Sequence, residues 1–155
     1  FLEGNAPLAN TQNTGSNVFV RTPDNNFLIV RDFDEDFFSL PGGGCDIDED
    51  GKACAIREVR EEAQVEVKNI RLLGSIVVKV CKNGQVLSVS TQQRYLADAV
   101  EVFDFKVDPN NFDENCYETV ERKEMPFELL GTEVKSLRYK TGEVILASLK
   151  RVMGT

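Results

Sequence analysis

Between Gly51 and Ala63 the chain changes period, and this change constrains the fold more than any other feature. Ala53, Ile56, Val59 and Ala63 recur at helical spacing and fall on one side of a wheel, as a helix packed on a core requires. Glu58, Glu61 and Glu62 fall on the opposite side, within an arc of roughly 100°. Strand-like sequence flanks this helix. Val18-Phe19-Val20 and Phe27-Leu28-Ile29-Val30 enclose the turn cluster Pro23 to Asn26 and read as a hairpin. Phe37 to Leu40 reads as a short apolar strand. Beyond the helix, Val65 to Ile70 leaves the helical pattern. Leu72 to Cys81 and Val86 to Ala99 are then rich in β-branched residues, and Asn83-Gly84 between them is a strong two-residue hairpin signal. Asp104 to Asn115 reads as a polar loop. Glu118 to Met125 reads as a strand ending at Pro126. Thr141 to Met153 reads as a second amphipathic helix with Val144, Ile145, Leu149 and Val152 on one side. Strands, a helix, strands and a helix, without regular βα alternation, predict a mixed α+β sandwich rather than a doubly wound parallel sheet. Residues 1–14, rich in Asn, Thr, Gly and Ala, read as an N-terminal arm, and residues 15–155 as a single domain.

Composition narrows the chemistry. The formal net charge is -8, and no block of Lys and Arg interrupts the acidic balance. A nucleic-acid polymer would be repelled, so none is expected as a partner. A phosphate-bearing small molecule remains compatible if metal ions screen the contact. The chain has no histidine. That excludes Ser-His-Asp and Cys-His nucleophile systems and His-ligated zinc, and leaves carboxylates, Lys, Tyr, Cys or metal-activated water. The four cysteines, Cys45, Cys54, Cys81 and Cys116, form no CxxC pair. In a chain this long they are expected as reduced thiols, with Cys54 packed near the start of the helix. No apolar stretch reaches membrane-span length, so no membrane association is expected. The first residues lack the basic-then-apolar pattern of a signal peptide, and a cytoplasmic location is expected.

Two neighbouring segments carry the chemistry: Leu40-Pro41-Gly42-Gly43-Gly44, and Arg57-Glu58-Val59-Arg60-Glu61-Glu62 on the helix, with Glu49 just before it. Glutamates at i,i+3 and i,i+4 repel one another, and the C-terminal half of a helix disfavours anions. A divalent cation would reverse both effects, and clustered hard oxygens suit Mg²⁺ or Mn²⁺. Glycines after a strand let the backbone approach another segment or a ligand closely. Arg57 can pair with Glu61 or reach back to Glu49, orienting carboxylates through its fork of donors. Taken alone, Glu61-Glu62 reads as a solvated helix face and Gly42 to Gly44 as an ordinary loop. Their common register with Gly43, Glu49, Arg57 and Glu58 makes the metal site the better reading.

Starting at Gly43 the chain reads Gly, five residues, Glu49, seven residues, then Arg57-Glu58-Val59-Arg60-Glu61-Glu62-Ala63-Gln64-Val65. This resembles the Nudix box, Gly-x5-Glu-x7-Arg-Glu-aliphatic-x-Glu-Glu-x-Gly-aliphatic. The likeness spans the 23 residues Gly43 to Val65 and holds at every defining position but one. Leu40-Pro41-Gly42 also resembles the family's entry to the box. The departure is Gln64, where the family has Gly. Gln can take the left-handed helix exit that the glycine serves, at a cost of about 1 kcal/mol. The resemblance implies a Nudix-like α/β/α sandwich with a mixed sheet. It implies hydrolysis of a nucleoside diphosphate linked to another moiety, a nucleotide-like small molecule, by metal-activated water without a protein nucleophile. It implies that Glu58, Glu61 and Glu62 bind Mg²⁺ (or Mn²⁺), with Glu49 supporting the site through Arg57 or a water and Gly43 shaping the loop. Nucleoside triphosphates, sugar nucleotides, ADP-ribose and dinucleoside polyphosphates all contain the required linkage. Relatives commonly form homodimers, which leaves a homodimer open.

Outside the box the signals are weaker, and each has a plain counterpart. Glu114, Glu118 and Glu121 are candidates for an additional base, or surface charges. Arg31, Lys79 and Arg94 are candidates to meet phosphates, or members of surface ion pairs. Phe38 and Tyr95 are candidates to stack on a base, with core packing the plainer role for Phe38. A nucleotide-binding or sensor module on the same scaffold is the competing function, and the intact Glu58, Glu61 and Glu62 argue against it. Diphosphate isomerase chemistry would need further acid and base groups that the sequence does not offer.

Overall fold

The computed structural model describes residues 13–107 and 119–154. The fold is built around β1 (Asn13–Arg21), which has strand neighbours on both sides. It runs parallel to β5 (Gln85–Val102) along its whole length. On its other side its first half pairs with β3 (Gly42–Gly44), and its second half with β2 (Phe27–Asp32). β4 (Val65–Lys82) and β6 (Thr119–Met125) close the two edges of this six-stranded mixed sheet. The β4–β5 turn places Asn83 and Gly84 at φ 52° and 77°, the geometry Asn-Gly favours in two-residue hairpins.

Because β1 and β2 are buried on both faces, they read as unbroken apolar runs rather than alternating ones. The alternation survives in which face each side chain serves. Val18, Val20, Leu28, Val30 and Ala97 pack against Ala55, Val59 and Ala63 of α1 (Gly51–Ala63). Phe19, Phe27, Ile29 and Leu96 face the other way. They pack under Leu130 of α2 (Phe127–Glu133), Leu137 of a 3-10 turn, and Ile145 and Leu149 of α3 (Lys140–Val152). The result is an α/β/α sandwich with a mixed sheet, the architecture that the resemblance implies.

Several details differ from the sequence reading. Phe37 to Leu40 forms only isolated bridges, Val30 with Ser39 and Phe38 with Val134. The regular strand is instead the glycine run, because residues without side chains can lie flat against β1. The helix α2 follows Pro126 and was not expected. Along α1, Ala53 is exposed, Ile56 only half-buried and Glu58 buried, so the helix is rotated to turn part of its acidic face inward. Cys45 and Cys54 are not reduced thiols but a disulfide, their Cα atoms 5.4 Å apart. Asn13 and Thr14 already belong to β1; the rest of the expected arm, together with Glu114, Cys116 and Glu118, lies outside the described residues. Among the described residues, no helix is long and apolar enough to cross a membrane.

Candidate active site

The site forms where α1 passes the glycine strand. Asp50 starts the helix by accepting hydrogen bonds from the backbone N–H groups of Lys52 and Ala53 at 3.2 and 3.3 Å. This sets the rotation that brings Glu58 and Glu62 toward β3. Gly42 donates its backbone N–H to Glu62 Oε2 at 3.0 Å. Gly43 has no room for a side chain, since a Cβ there would stand 2.7 Å from the Glu58 carboxyl carbon. The close approach that glycine permits thus admits the Glu58 carboxyl at Gly43, whereas at Gly42 it admits Ser16 and Asn17 of β1.

Arg57 ties the remaining groups together. Its Nε and Nη2 donate to the two oxygens of Glu49, both at 2.9 Å. Nη2 also donates to the carbonyl of Gly44 at 3.1 Å, and Nη1 to Glu58 at 3.0 Å and to Glu61 at 3.2 Å. Glu49 accepts a further bond from the backbone N–H of Asp46 at 3.0 Å. The two roles open to Arg57, pairing along the helix and reaching back to Glu49, are thus made together.

The electrostatics separate the carboxylates. The Arg57 bonds and the Asp46 N–H hold Glu49 down to about 2. Burial pushes Glu58 up, with Arg57 opposing and Glu61 and Glu49 adding. Burial carries Glu62 up to about 8. The Gly42 N–H pulls against that rise, while the charges of Asp32, Glu58 and Glu61 reinforce it. Asp32, at the end of β2, is itself half-buried and raised by that burial. The pairing of β2 within the sheet, which no local pattern announces, brings Asp32 near the helix. Glu58, Glu61 and Glu62 carry hard oxygens of the type that suits a divalent cation such as Mg²⁺ or Mn²⁺, and among the described residues the oxygens of the three do not all lie within 4.8 Å of one another.

The NUDIX domain matches residues 11–140, most of the chain. The protein belongs to the NUDIX family. Solved structures agree on the fold. A Bacillus subtilis pyrophosphohydrolase superposes with a TM-score of 0.69 at 20% identity, over 96% of this chain and 87% of the other. An ADP-ribose pyrophosphatase from Streptococcus suis gives 0.62 at 21% identity, over 92% of each chain. An Ap4A hydrolase from C. elegans gives 0.63 at 16% identity, over 91% of this chain and 97% of the other. Among curated protein sequences none matches.

The Nudix helix ends at the one departure from the box. Gln64 stands at φ 57°, ψ 51°, the left-handed conformation usually given to glycine. Its side-chain amide donates to the carbonyl of Lys106 at 2.7 Å and accepts that residue's N–H at 3.0 Å. The backbone carbonyl of residue 64 accepts from the Phe103 N–H at 3.2 Å, and the glutamine side chain adds the two bonds to Lys106 that a glycine could not make. Arg122 of β6 donates to the carbonyl of Ala63 at 2.7 Å, placing a cation at the C-terminal end of α1. Neither contact has a local sequence signal.

The candidates outside the Nudix box scatter. Arg31 donates to Glu121 at 3.0 Å and to the carbonyl of Glu35, so these two residues form a surface ion pair. Lys79 lies exposed on the far part of β4. Phe38 packs against the core under Lys123, and Tyr95 is 3% exposed, so neither ring is free to stack on a base. Arg94 is different. It is 6% exposed, and its Nη atoms donate to Asn17 Oδ1 at 2.9 Å and Gln92 Oε1 at 3.2 Å. Its Nε is buried without a partner, and among the described residues no carboxylate pairs with it. Burial lowers it to about 10. Asn17 and Gln92 line a cleft of about 430 Å³ together with Gly15, Gly43, Gly44 and Ser90. By strand alternation Arg94 lies on the face of Leu96, opposite α1. A somewhat larger cavity, about 500 Å³, lies against Pro126, Phe127 and Met153, and none of the box carboxylates lines it.

Proposed function

We propose that the protein hydrolyses a diphosphate linkage in a nucleoside diphosphate joined to another moiety, using Mg²⁺ or Mn²⁺. Glu58, Glu61 and Glu62 would hold the cation, and Glu49 would act through Arg57 by fixing the orientation of Glu58 and Glu61. The observation that carries this reading is the meeting of four glutamates and one arginine on a side-chain-free strand. The cation supplies neutralisation of the diphosphate charge and acidification of water, so no protein nucleophile is needed. Gly43 excludes bulk from the place where Glu58 approaches the strand, and Gly42 fixes Glu62 by its N–H.

Arg94 is the substrate contact we assign outside the box. Asn17 pairs with Gly42 on one side and Arg94 on the other. Arg94 therefore stands two strand spacings, roughly 10 Å, from the glycine that holds Glu62. A diphosphate with its attached nucleoside can span that distance. The cleft beside Gly43 and Gly44 would take the nucleotide portion, and the guanidinium beneath it would stabilise an anionic oxygen.

The test is a panel of nucleoside triphosphates, sugar nucleotides, ADP-ribose and dinucleoside polyphosphates with added Mg²⁺ or Mn²⁺, read by product identity. Release of a nucleoside monophosphate or of orthophosphate or diphosphate, abolished by chelation, is the expected result. Saturable binding without turnover would replace the hydrolase with a nucleotide-binding module.

A further inference from the structure

The disulfide joins the end of the glycine strand to the first turn of α1 and closes the loop between them. Cys45 follows Gly44, whose carbonyl accepts from Arg57, and its own N–H donates to Thr14 of β1 at 2.9 Å. Cys54 sits in the first turn of α1, fully buried. The loop between them carries Glu49, the main anchor of Arg57. Apart from Glu49 that loop is exposed: Ile47 is 90% accessible and Asp48 holds the left-handed φ of 70°. Its internal hydrogen bonds are few and local, Glu49 N–H to the Asp46 carbonyl and Asp46 N–H to the Glu49 carboxylate. The sulfur bridge is thus the covalent tether that keeps Glu49 against Arg57.

We propose that Cys45 is a thiol-exchange site, and that the Cys45–Cys54 disulfide is a reducible clasp on the catalytic carboxylates. Cys45 is half-buried while Cys54 is enclosed, so an incoming thiolate meets the Cys45 sulfur. A low-molecular-weight thiol attacks it, forming a mixed disulfide; the Cys45–Cys54 bond breaks and Cys54 leaves as a thiolate that takes up a proton. A second thiol then releases Cys45 as a thiol and leaves as the oxidised dimer of the reductant. Two electrons pass from two reductant thiols to one protein disulfide. Opening the clasp frees the Glu49 loop. Arg57, losing its firmest partner, falls back on Glu58 and Glu61 and competes with a divalent cation for their oxygens. Reduction therefore weakens the metal site without touching a metal-binding group. Glu49 and the cysteines act here as positioning residues.

This inference rests on the metal reading above, and its test separates the two. Protein purified without reductant, with the Cys45–Cys54 link verified by peptide mass spectrometry, is compared with protein reduced by dithiothreitol and desalted under argon. Mn²⁺ binding is measured directly by calorimetry, and turnover is followed against Mn²⁺ concentration. Reduction is expected to raise the Mn²⁺ requirement roughly tenfold, the scale seen when a group orienting a metal ligand is lost. Substrate KM at saturating Mn²⁺ should stay near its starting value, and reoxidation should restore the metal requirement. Cys45→Ser and Cys54→Ser should match the reduced wild type and ignore dithiothreitol. Equal Mn²⁺ affinity of the two forms overturns the clasp, as does failure of the link to form in air with oxidised glutathione. Unequal affinity with no turnover in either form overturns the hydrolase instead and leaves the clasp standing.

Discussion

Two arginines stand on either side of the glycine strand, and their surroundings are opposite. Arg57, on the α1 side, donates to three carboxylates and a carbonyl, and its charge is answered within the protein. Arg94, on the other face, donates among the described residues only to two amide oxygens, and its Nε has no partner there. A buried guanidinium without a counter-charge costs several kcal/mol, which a protein retains where something else offsets it. The difference separates two kinds of setting. Arg57 holds glutamates in place. Arg94 is held in position by neutral groups, and under the proposed function its charge meets an anion of the substrate.

The strongest way to test this division is to remove a carboxylate from the Arg57 side. Glu61→Gln keeps the shape and the i,i+4 spacing but removes a charge that a cation would use. Turnover should fall by at least about a hundredfold with the far-UV spectrum unchanged, the scale expected when a metal-site group is lost. Near wild-type turnover would show that the carboxylates serve only the helix. Next comes the other side. Arg94→Gln should raise substrate KM roughly tenfold or more with kcat much less affected, since a hydrogen bond to a charged group contributes about 1.5–3 kcal/mol. Its thermal stability should hold or rise, because an unanswered buried charge is gone, whereas Arg57→Gln should melt lower. If both variants melt lower by equal amounts, the contrast between the two arginines fails.

The carboxylates also separate by pH. Glu62 is raised from 4.5 to about 8 by burial, with neighbouring negative charge adding to the effect. The folded protein therefore holds a proton that the unfolded chain releases above 4.5. That contribution to stability is complete at low pH and is lost as pH rises from 4.5 towards 8. Glu49, held at about 2, works in the opposite sense: its contribution is present above 4.5 and fades as pH falls towards 2. In chelator-treated protein the melting temperature should decline across the upper window, and Mn²⁺ added near pH 8 should restore it by replacing the proton. Glu62→Gln should flatten that decline. A melting curve insensitive to both pH and Mn²⁺ in this range would place Glu62 outside any cation site.

Much of the frame was legible in the sequence, for physical reasons that also mark where legibility stopped. The helix α1 and the carboxylates on it follow from period and spacing, which are local. So does the Asn83-Gly84 turn; along α3, Ile145 and Leu149 are buried as the stripe predicts, while Val144 and Val152 are exposed. The acidic face was misjudged by part of a turn: Ala53 was expected inside and is exposed, and Glu58 was expected outside and is buried. A wheel gives relative angles but not which edge of the arc meets the sheet; Asp50 and the glycine strand decide that. The cysteines were misread because spacing and composition do not say whether two side chains meet across a loop. Asp32, Arg122 and the isolation of Arg94 depend on strand pairings far apart in the chain. In the sequence Arg94 is one basic residue among several, since what distinguishes it is that no carboxylate among the described residues pairs with it.

The smallest effect concerns the frame that carries Arg57 rather than the arginines themselves. At the exit of α1, Gln64 adopts a conformation that costs about 1 kcal/mol for a residue with a side chain. Its amide returns two hydrogen bonds to Lys106, each contributing about 1 kcal/mol when both partners are otherwise exposed to water. Gln64→Gly removes the strain and the bonds together, so the change in stability should be within about 1 kcal/mol of zero. Gln64→Ala keeps the strain and loses the bonds, and should be the less stable of the two by about 1 kcal/mol. Denaturant melts of the three proteins decide the point. If alanine were as stable as glutamine, the Lys106 bonds would contribute nothing, and the departure from glycine at this position would be tolerated without compensation. If glycine proved well above glutamine, the strain at the helix exit would exceed what the amide returns, and restoring the family's glycine would stiffen the helix that holds Arg57 against Glu58 and Glu61.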